Sequence, residues 1–356
     1  MVVEVGIPRY ANFHRRLYSV AFGAVMAFPA LGADRSPSET STFTVIFEND
    51  LFGGRDNQYT NGIQIGWLSP DLNHYAEEKR LPRWFLPIVA RMPFINVPDS
   101  QHNVGFVLGQ QIYTPRNVQT SSLIQDDRPY AGWLYGGLAF ISKNEISLDT
   151  LELQLGVIGP ASLAEQAQEL VHDLRDIPIA KGWDNQLDNE PGVALVYAHK
   201  RHLSRSDSAA GWGYDLIAHA GGVIGNVYTY ANAGGELRFG WNVPGDYGTS
   251  IIRPGGDTNA PTTVNDPRLV SRENFGVYVF TAVSGRAVLR DIFLDGNSFK
   301  SSHSVDKKPL VGDFVAGLSV AAGSWKLSYA QAWRSREFDG QDRIHNFGSI
   351  SASYTF

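Results

Sequence analysis

Apolar and polar residues alternate along much of this chain. Near its end, Ile350, Ala352, Tyr354 and Phe356 alternate with serine and threonine. One apolar face backed by one small polar face is the repeat of a strand in a membrane barrel, with lipid outside and water inside. A half-buried strand at the end of a soluble β-sandwich shows the same alternation. This strand alone therefore leaves both folds open.

The alternation recurs often enough to predict a whole barrel. Residues 272–284 and 286–294 are joined only by the weak turn at Ser284-Gly285 and are expected to form one long strand. An antiparallel barrel with both chain ends on the periplasmic side needs an even strand count. The prediction is an all-β, transmembrane antiparallel β-barrel of twelve strands, with some lumen but no wide channel. The strands are predicted at 42–49, 59–68, 103–112, 131–142, 148–158, 191–201, 211–222, 230–241, 272–294, 311–322, 324–334 and 346–356.

Both ends of the sequence indicate the compartment. Arg15-Arg16 precedes an apolar stretch at 17–30 and small residues up to Ala33, which predicts a secretory signal peptide at 1–33 and one barrel domain at 34–356. A membrane anchor is the alternative, but the apolar stretch is short and contains a proline. The aromatic carboxy-terminus resembles the signal that outer-membrane barrels present to their insertion machinery. The bacterial outer membrane is the expected location.

Composition fits a barrel in that membrane. The chain has no cysteine, so an oxidising periplasm has nothing to cross-link. A mean hydropathy of -0.19 suits strands that are apolar on one face only. A net charge of -6 without a basic stripe argues against nucleic acid as a partner. A monomer in the outer-membrane lipid bilayer is expected.

One long connection, at 159–190, contains a predicted helix at 161–176. Ser162 and Glu165 have the spacing of a capping box, in which a hydroxyl and a carboxylate bind the first-turn amides. A barrel needs no capped helix in its loops. The helix is therefore a candidate for a functional element.

The predicted helix carries an imidazole. Gln168 and His172 are four residues apart and so share one face, and Asp176, four further on, could orient or charge-pair the ring. A helical histidine near an acid is also common as a solvated surface group. The spacing by itself does not decide between the two.

A second polar cluster follows the first strand. Glu48-Asn49-Asp50 precedes the turn Gly53-Gly54, and Asp56 and Tyr59-Thr60-Asn61-Gly62 come next. Oxygen-bearing side chains beside a glycine turn suit a hard cation such as calcium. The same residues are also ordinary turn formers, and their spacing is not that of an EF-hand.

Taken together, the two clusters predict ester hydrolysis. An imidazole can take a proton from water, and a nearby calcium ion can stabilise the oxyanion that forms at an ester carbonyl. The abundant esters of an outer membrane are the acyl chains of lipopolysaccharide and phospholipid.

Several motifs, in order along residues 44 to about 200, resemble those of the outer-membrane lipid A 3'-O-deacylase family. As a set they are specific, although each alone is short. They are Glu48-Asn49-Asp50, Tyr59-Thr60-Asn61-Gly62, Gln111-Ile112-Tyr113-Thr114-Pro115, Asp127-Arg128-Pro129-Tyr130-Ala131-Gly132, Leu155-Gly156-Val157-Ile158-Gly159-Pro160, Gln168 with His172, and Gly182-Trp183-Asp184-Asn185-Gln186.

The resemblance implies a twelve-stranded, calcium-dependent barrel whose active site lies between the wall and a loop helix. It implies that His172 is the general base, with Gln168 beside it. It places Asn49, Thr60 and Asp50 in the active site, with Asp50 as the calcium ligand.

The chain departs from the family's pattern at two positions. Thr120 stands where the family has a functional lysine, and the nearest basic residue is Arg116. Pro178 stands where the family has a glutamate, and Asp176 is a candidate metal ligand in its place.

The expected function is a calcium-dependent esterase that removes an acyl chain from lipid A. One alternative is a non-enzymatic barrel, either a narrow pore or a scaffold whose helix is a plug. Another is an outer-membrane phospholipase, although the sequence contains no Gly-x-Ser-x-Gly elbow for serine chemistry.

Overall fold

The computed structural model describes residues 35–53, 58–206, 211–248, 251–252, 259–270 and 275–356. Within them, twelve antiparallel strands close into a barrel in which each strand pairs with its neighbours in sequence and the last pairs with the first. The strands are β1 (Thr42–Asn49), β2 (Gln58–Leu68), β3 (Gln101–Thr114), β4 (Ala131–Lys143), β5 (Ser147–Ile158), β6 (Glu190–Arg205), β7 (Trp212–Gly225), β8 (Tyr228–Trp241), β9 (Phe275–Asp291), β10 (Leu310–Ala322), β11 (Trp325–Arg334) and β12 (His345–Thr355).

The predicted fold is confirmed, including the single long strand. β9 runs for 17 residues without a break, as the weak turn at Ser284-Gly285 indicated. The predicted signal peptide at 1–33 lies outside the described residues and stays a prediction. No helix within the described ranges has the length and apolar character to cross a membrane.

Side-chain alternation follows the two environments of the wall. On β2, Ile63 and Ile65 are exposed on the outer face, while Gln64 between them is buried on the inner face. The wall closes where β1 begins and β12 ends, through backbone bonds of 2.8 and 2.9 Å between Ser41 and Phe356. We call this end of the barrel the terminus end and the opposite end the far end. An even strand count puts both chain ends on the same side of a barrel, which in outer-membrane barrels is the periplasmic side.

The connection between β8 and β9 enters the lumen. Asp246 accepts hydrogen bonds from Arg238 on β8 (2.7 Å) and from Lys326 on β11 (2.6 Å). Further along, the backbone N–H of Ile252 donates to Glu48 Oε1 on the inner face of β1 (2.7 Å). Residues of this connection therefore span the interior and bind the wall on several sides. Among the described residues, these bonds cross the interior of the barrel.

The described helices are short and lie in the connections. They are α1 (Leu86–Val89), α2 (Ala164–Leu174) and α3 (Ile292–Asp295), with 3₁₀ turns at Pro37–Glu39, Asp50–Gly53, Tyr75–Glu77, Pro160–Ser162 and Trp183–Asn185.

The helix predicted at 161–176 is shorter, and its predicted capping box is wrong. Leu163, not Ser162, precedes the first turn, in the left-handed conformation with φ of 59°. The Ser162 hydroxyl instead donates to Gly159 O (2.6 Å), because Pro160–Ser162 form their own 3₁₀ turn. At the other end, Asp176 lies beyond the helix with φ of 55°. The four-residue helical spacing from His172 to Asp176 therefore does not hold.

Candidate active site

Helix α2 packs on the outer, lipid-facing surface of the wall at the far end. On β3, Leu108 is 56% exposed, whereas Ile112 on the same face is buried against Ala164 of α2. Beside Ile112 on β4 is Gly132, where an added methyl group would lie under 3.0 Å from Ala164 and from Ser162. Only glycine permits this close approach. The segment before the helix thus lies directly on the strands.

His172, in the last turn of α2, is buried, with 1% of its surface exposed. Its Nδ1 lies 2.8 Å from the backbone oxygen of Pro178. Since a carbonyl oxygen only accepts, Nδ1 carries a proton, and in the neutral imidazole Nε2 is then the basic nitrogen. The turn that holds Pro178 is fixed by the N–H of Ile177, which donates to His172 O (2.9 Å). The imidazole is therefore held in the tautomer that can accept a proton at Nε2.

Gln168 lies one turn before His172 and is also buried. Its Oε1 accepts a hydrogen bond from Trp183 Nε1 (2.8 Å), and the Trp183 ring packs on Tyr130 with centroids 4.9 Å apart. Because an indole N–H only donates, this bond identifies the amide oxygen of Gln168 and therefore also its Nε2. Gln168 Nε2 has no hydrogen-bond partner among the described residues. The side chain thus offers an oriented N–H donor beside the imidazole.

A row of polar side chains lies next to α2 on the same outer face. Asn49 pairs across the sheet with Asn61, and Asn61 pairs with Ile112 beneath the helix. Neighbouring strands are about 4.8 Å apart, so Asn49 lies about 10 Å from Ile112. A bulge between Tyr59 and Asn61 adds Thr60 to the outer face. Polar residues there replace the apolar band that covers the wall nearer its middle.

Direct bonds join the members of this row. Asn49 Nδ2 donates to Thr60 O (3.0 Å), and the hydroxyls of Thr60 and Thr114 are 2.6 Å apart. Asp50 follows Asn49 as the first residue of a 3₁₀ turn and is fully buried. Asp56, from the same sequence cluster, lies outside the described residues.

The structure thus brings most of the predicted site residues to one part of the wall. Asn49, Asp50 and Thr60 lie at the far ends of β1 and β2, and Gln168 and His172 lie on the helix that covers the adjacent β3 and β4. Asp176 is exposed in the turn after the helix. The roles of all six residues stay predictions.

The loop between β3 and β4 is anchored above this row by Asp127. The Asp127 carboxylate accepts from Gln58 Nε2 (3.2 Å) and from the backbone N–H of Arg116 (2.7 Å). The Arg116 guanidinium binds Asp126 (2.7 Å) and Asp342 (3.3 Å), and its hydrogen bond lowers the pKa of the Asp126 carboxyl. Arg116, the basic residue nearest to Thr120, is therefore already engaged by acids.

The face of α2 has an acidic character. Burial, together with the negative charges of Glu169 and Asp184, raises the pKa of Glu165. A cation bound near this helix would meet a favourable field.

Three residues important to the geometry were not identified as such from the sequence. They are Pro178, whose backbone oxygen holds His172, Trp183, which holds Gln168, and Gly132, which admits the helix. Trp183 and Gly132 both lie within motifs quoted above, so the motifs marked them without giving their role.

A family model and solved structures are similar to this chain. The family model described as "Outer membrane protein LpxR" matches residues 17–356. Among solved structures, LpxR from Salmonella typhimurium is similar with a TM-score of 0.68 and 17% identity, covering 88% of this chain and 100% of that one. The β-domain of the Bordetella autotransporter BrkA has a TM-score of 0.40 at 10% identity, covering 88% and 97%. Comparison with curated protein sequences gives no match. The chain is thus an outer-membrane protein and belongs to the LpxR family, which confirms the resemblance of its motifs.

Proposed function

We propose that this protein is a calcium-dependent esterase that removes an acyl chain from lipid A. The observation that carries the proposal is His172, a buried imidazole whose Nδ1 is bonded to Pro178 O (2.8 Å), which makes Nε2 the basic nitrogen of the neutral ring. It lies on the outer side of the wall at the far end. Lipid A occupies the outer leaflet, so its acyl esters reach this depth beside the wall.

The chemistry follows from two oriented groups. His172 Nε2 takes a proton from a water molecule, whose oxygen attacks the ester carbonyl. Gln168 Nε2, oriented by Trp183, donates to the carbonyl oxygen as negative charge develops on it. When the tetrahedral intermediate collapses, the imidazolium returns the proton to the departing alkoxide. The same nitrogen, His172 Nε2, thus takes the proton from water and returns it to the leaving group.

The residues beside the helix fit a calcium ion. The candidate ligands are the Asp50 carboxylate, the side-chain oxygens of Asn49 and Asn61, and the hydroxyl of Thr60, all of them oxygen and all buried. Calcium prefers such hard ligands, and neutral oxygens commonly complete its shell. When bound there, the ion would supply positive charge to the developing oxyanion.

Access to the ester requires movement of the helix region. His172 and Gln168 are 1% and 3% exposed, so neither reaches a bound substrate while the cover is in place. We infer that the turn at 175–181 and α2 shift away from the wall as the acyl chain enters from the lipid side.

Lys181 is our candidate for a contact with the lipid A phosphate. Its backbone N–H donates to Val118 O (2.8 Å), which places this exposed lysine beside the segment that carries Thr120. A cation at this position would restore the charge that the family's pattern has there.

The two alternative functions are less well supported. A pore is disfavoured by the β8–β9 connection, whose Asp246 binds both Arg238 on β8 (2.7 Å) and Lys326 on β11 (2.6 Å) inside the barrel. A phospholipase could use the same base, and only its substrate would differ.

The decisive experiment is mass spectrometry of lipid A from cells with and without this protein, and from isolated outer membranes with calcium or with a chelator. We expect loss of one acyl substituent only when protein and calcium are both present. Unchanged lipid A with released phospholipid fatty acids would favour the phospholipase. Unchanged lipids of both kinds would favour the non-enzymatic barrel.

A further inference from the structure

The connection between β2 and β3, residues 69–100, folds back onto the outside of the barrel at the terminus end. Val104 on β3 and Phe140 on β4 are directly paired and both point outward, yet both are buried. They pack with Val89 and Ile95 of the connection. The Tyr75 hydroxyl lies between two backbone oxygens, Ile95 O (3.0 Å) and Ile141 O (2.9 Å), and shares its one proton with them. This part of the wall is thus covered by protein instead of lipid.

The outer surface of this cover is apolar. Trp84 is 74% exposed, and Ile88 and Phe94 are also exposed, although their neighbours Val89 and Ile95 are buried. An exposed tryptophan and isoleucine beside an α-helical turn are typical of a segment that lies in a membrane interface. A segment with so little regular structure cannot enter the hydrocarbon core, where its backbone polar groups would find no partners. The interface at the edge of the bilayer is the depth that fits.

The apolar surface continues the lipid-facing surface of the barrel. The Phe94 ring packs on Tyr197 of β6 with centroids 4.8 Å apart. The Arg80 guanidinium lies 4.4 Å over the ring of Trp67 on β2, and Trp67 stacks on Phe106 of β3. Phe94 and Arg80 thus join a band of aromatic side chains on the wall, which marks the level of one membrane surface.

The segment is also basic. Residues 79–98 contain Lys79, Arg80, Arg83 and Arg91 and no acidic residue, although acids flank them and Glu78 pairs with Arg80 (3.0 Å). Arg83 and Arg91 are exposed beside the exposed apolar side chains. Basic residues at a membrane surface attract anionic headgroups. The terminus end faces the periplasmic leaflet, so the headgroups available to it are those of phospholipids.

We propose that residues 79–98 form an interfacial anchor that binds anionic phospholipid of the periplasmic leaflet. Trp84, Ile88 and Phe94 enter the headgroup–acyl boundary, and Arg83 and Arg91 bind phosphate groups. The anchor is independent of the esterase chemistry, because it lies at the opposite end of β3 and β4.

The depth of the proposed anchor in the membrane can be measured with a single introduced cysteine, since the chain has none of its own. Trp84→Cys is spin-labelled in the full protein in nanodiscs, and its collisions with oxygen and with a water-soluble nickel chelate are compared. The control is Ser301→Cys, at an exposed position of a far-end loop. We expect the Trp84→Cys label to meet oxygen preferentially and the control to meet nickel. Equal nickel access at both positions would overturn the proposal. Ile88→Cys serves if the first variant does not fold.

Headgroup preference is tested by native mass spectrometry of the protein offered phosphatidylglycerol and phosphatidylcholine in equal amounts. Arg83→Gln with Arg91→Gln should weaken the preference for phosphatidylglycerol by on the order of tenfold. The matched control is Lys300→Gln with Arg343→Gln, which removes the same charge from exposed far-end positions and should leave the preference unchanged. Equal loss in both variants, or in neither, would refute anionic lipid as the occupant. A buried label without any lipid preference would indicate a protein partner instead.

Discussion

β3 and β4 carry two covered patches on the same outer face, one at each end. At the far end, Ile112 and Gly132 lie under α2, and at the terminus end, Val104 and Phe140 lie under the β2–β3 connection. Both covers exclude lipid from the wall. The first places an oriented imidazole and amide beside a polar row, whereas the second presents tryptophan and arginine outward. Both covers bury apolar residues of the wall. They differ in the side chains that they present, and this difference distinguishes a candidate active site from an anchor.

The largest difference between the two ends should come from their histidines. His172→Ala removes the proposed base and should lower lipid A deacylation by roughly 10²–10⁴-fold, the usual contribution of a positioned base. His74→Ala changes an exposed histidine of the terminus-end cover and should leave the rate unchanged. The measurement is acyl release in detergent, with heat-dependent gel migration as a check on folding. A His172→Ala rate above about a tenth of wild type would show that the base lies elsewhere.

The next effect concerns calcium. Asp50→Asn keeps the shape of a fully buried side chain but removes its charge, and the loss of oxyanion stabilisation should cost on the order of 10²-fold at micromolar calcium. Millimolar calcium should restore part of the rate, because the neutral oxygens remain. Asp99→Asn, an exposed acid of the terminus-end connection, is the control and should not change the calcium dependence. Full wild-type activity in excess chelator would exclude a metal from the reaction.

A smaller effect should follow from lifting the far-end cover off the wall. Gly132→Ala places a methyl group where Ala164 and Ser162 already lie, so the helix must move and the rate should fall roughly tenfold to 10²-fold. Gly136→Ala is on the same strand and outer face, with the nearest atom 3.9 Å away, and should be neutral. Both variants should fold as barrels. Equal activity of the two would mean that the close seating of α2 is irrelevant to catalysis.

The sequence predicted the barrel well because alternation with period two depends only on which face meets lipid. It failed at the ends of α2, where Ser162 bonds to Gly159 and Leu163 turns left-handed, both consequences of packing on the wall. It could not anticipate the partner of His172, which is a backbone oxygen and has no residue signature. Nor did the sequence show that the β2–β3 connection packs on the wall, where Val89 and Ile95 lie against Val104 and Phe140 while Trp84 is exposed.

Acid should loosen the far end before the terminus end. Glu337, in the loop between β11 and β12, is buried and binds Arg128 of the β3–β4 loop (2.8 Å). Burial alone would raise the pKa of this carboxyl, but the charges of Arg128 and Arg334 prevail and lower it from 4.5 to about 2.

Since the pKa is lower in the folded state than in the unfolded state, the ionised carboxylate stabilises the fold above pH 4.5. That contribution, on the order of 3 kcal/mol, is lost progressively as the pH falls from 4.5 towards 2. We expect hydrogen exchange in the 115–130 and 335–344 loops to rise over this range, while exchange at 72–98 stays constant. Glu337→Gln should show the faster far-end exchange already at neutral pH and lose the acid response. An unchanged acid response in Glu337→Gln would assign it to another group.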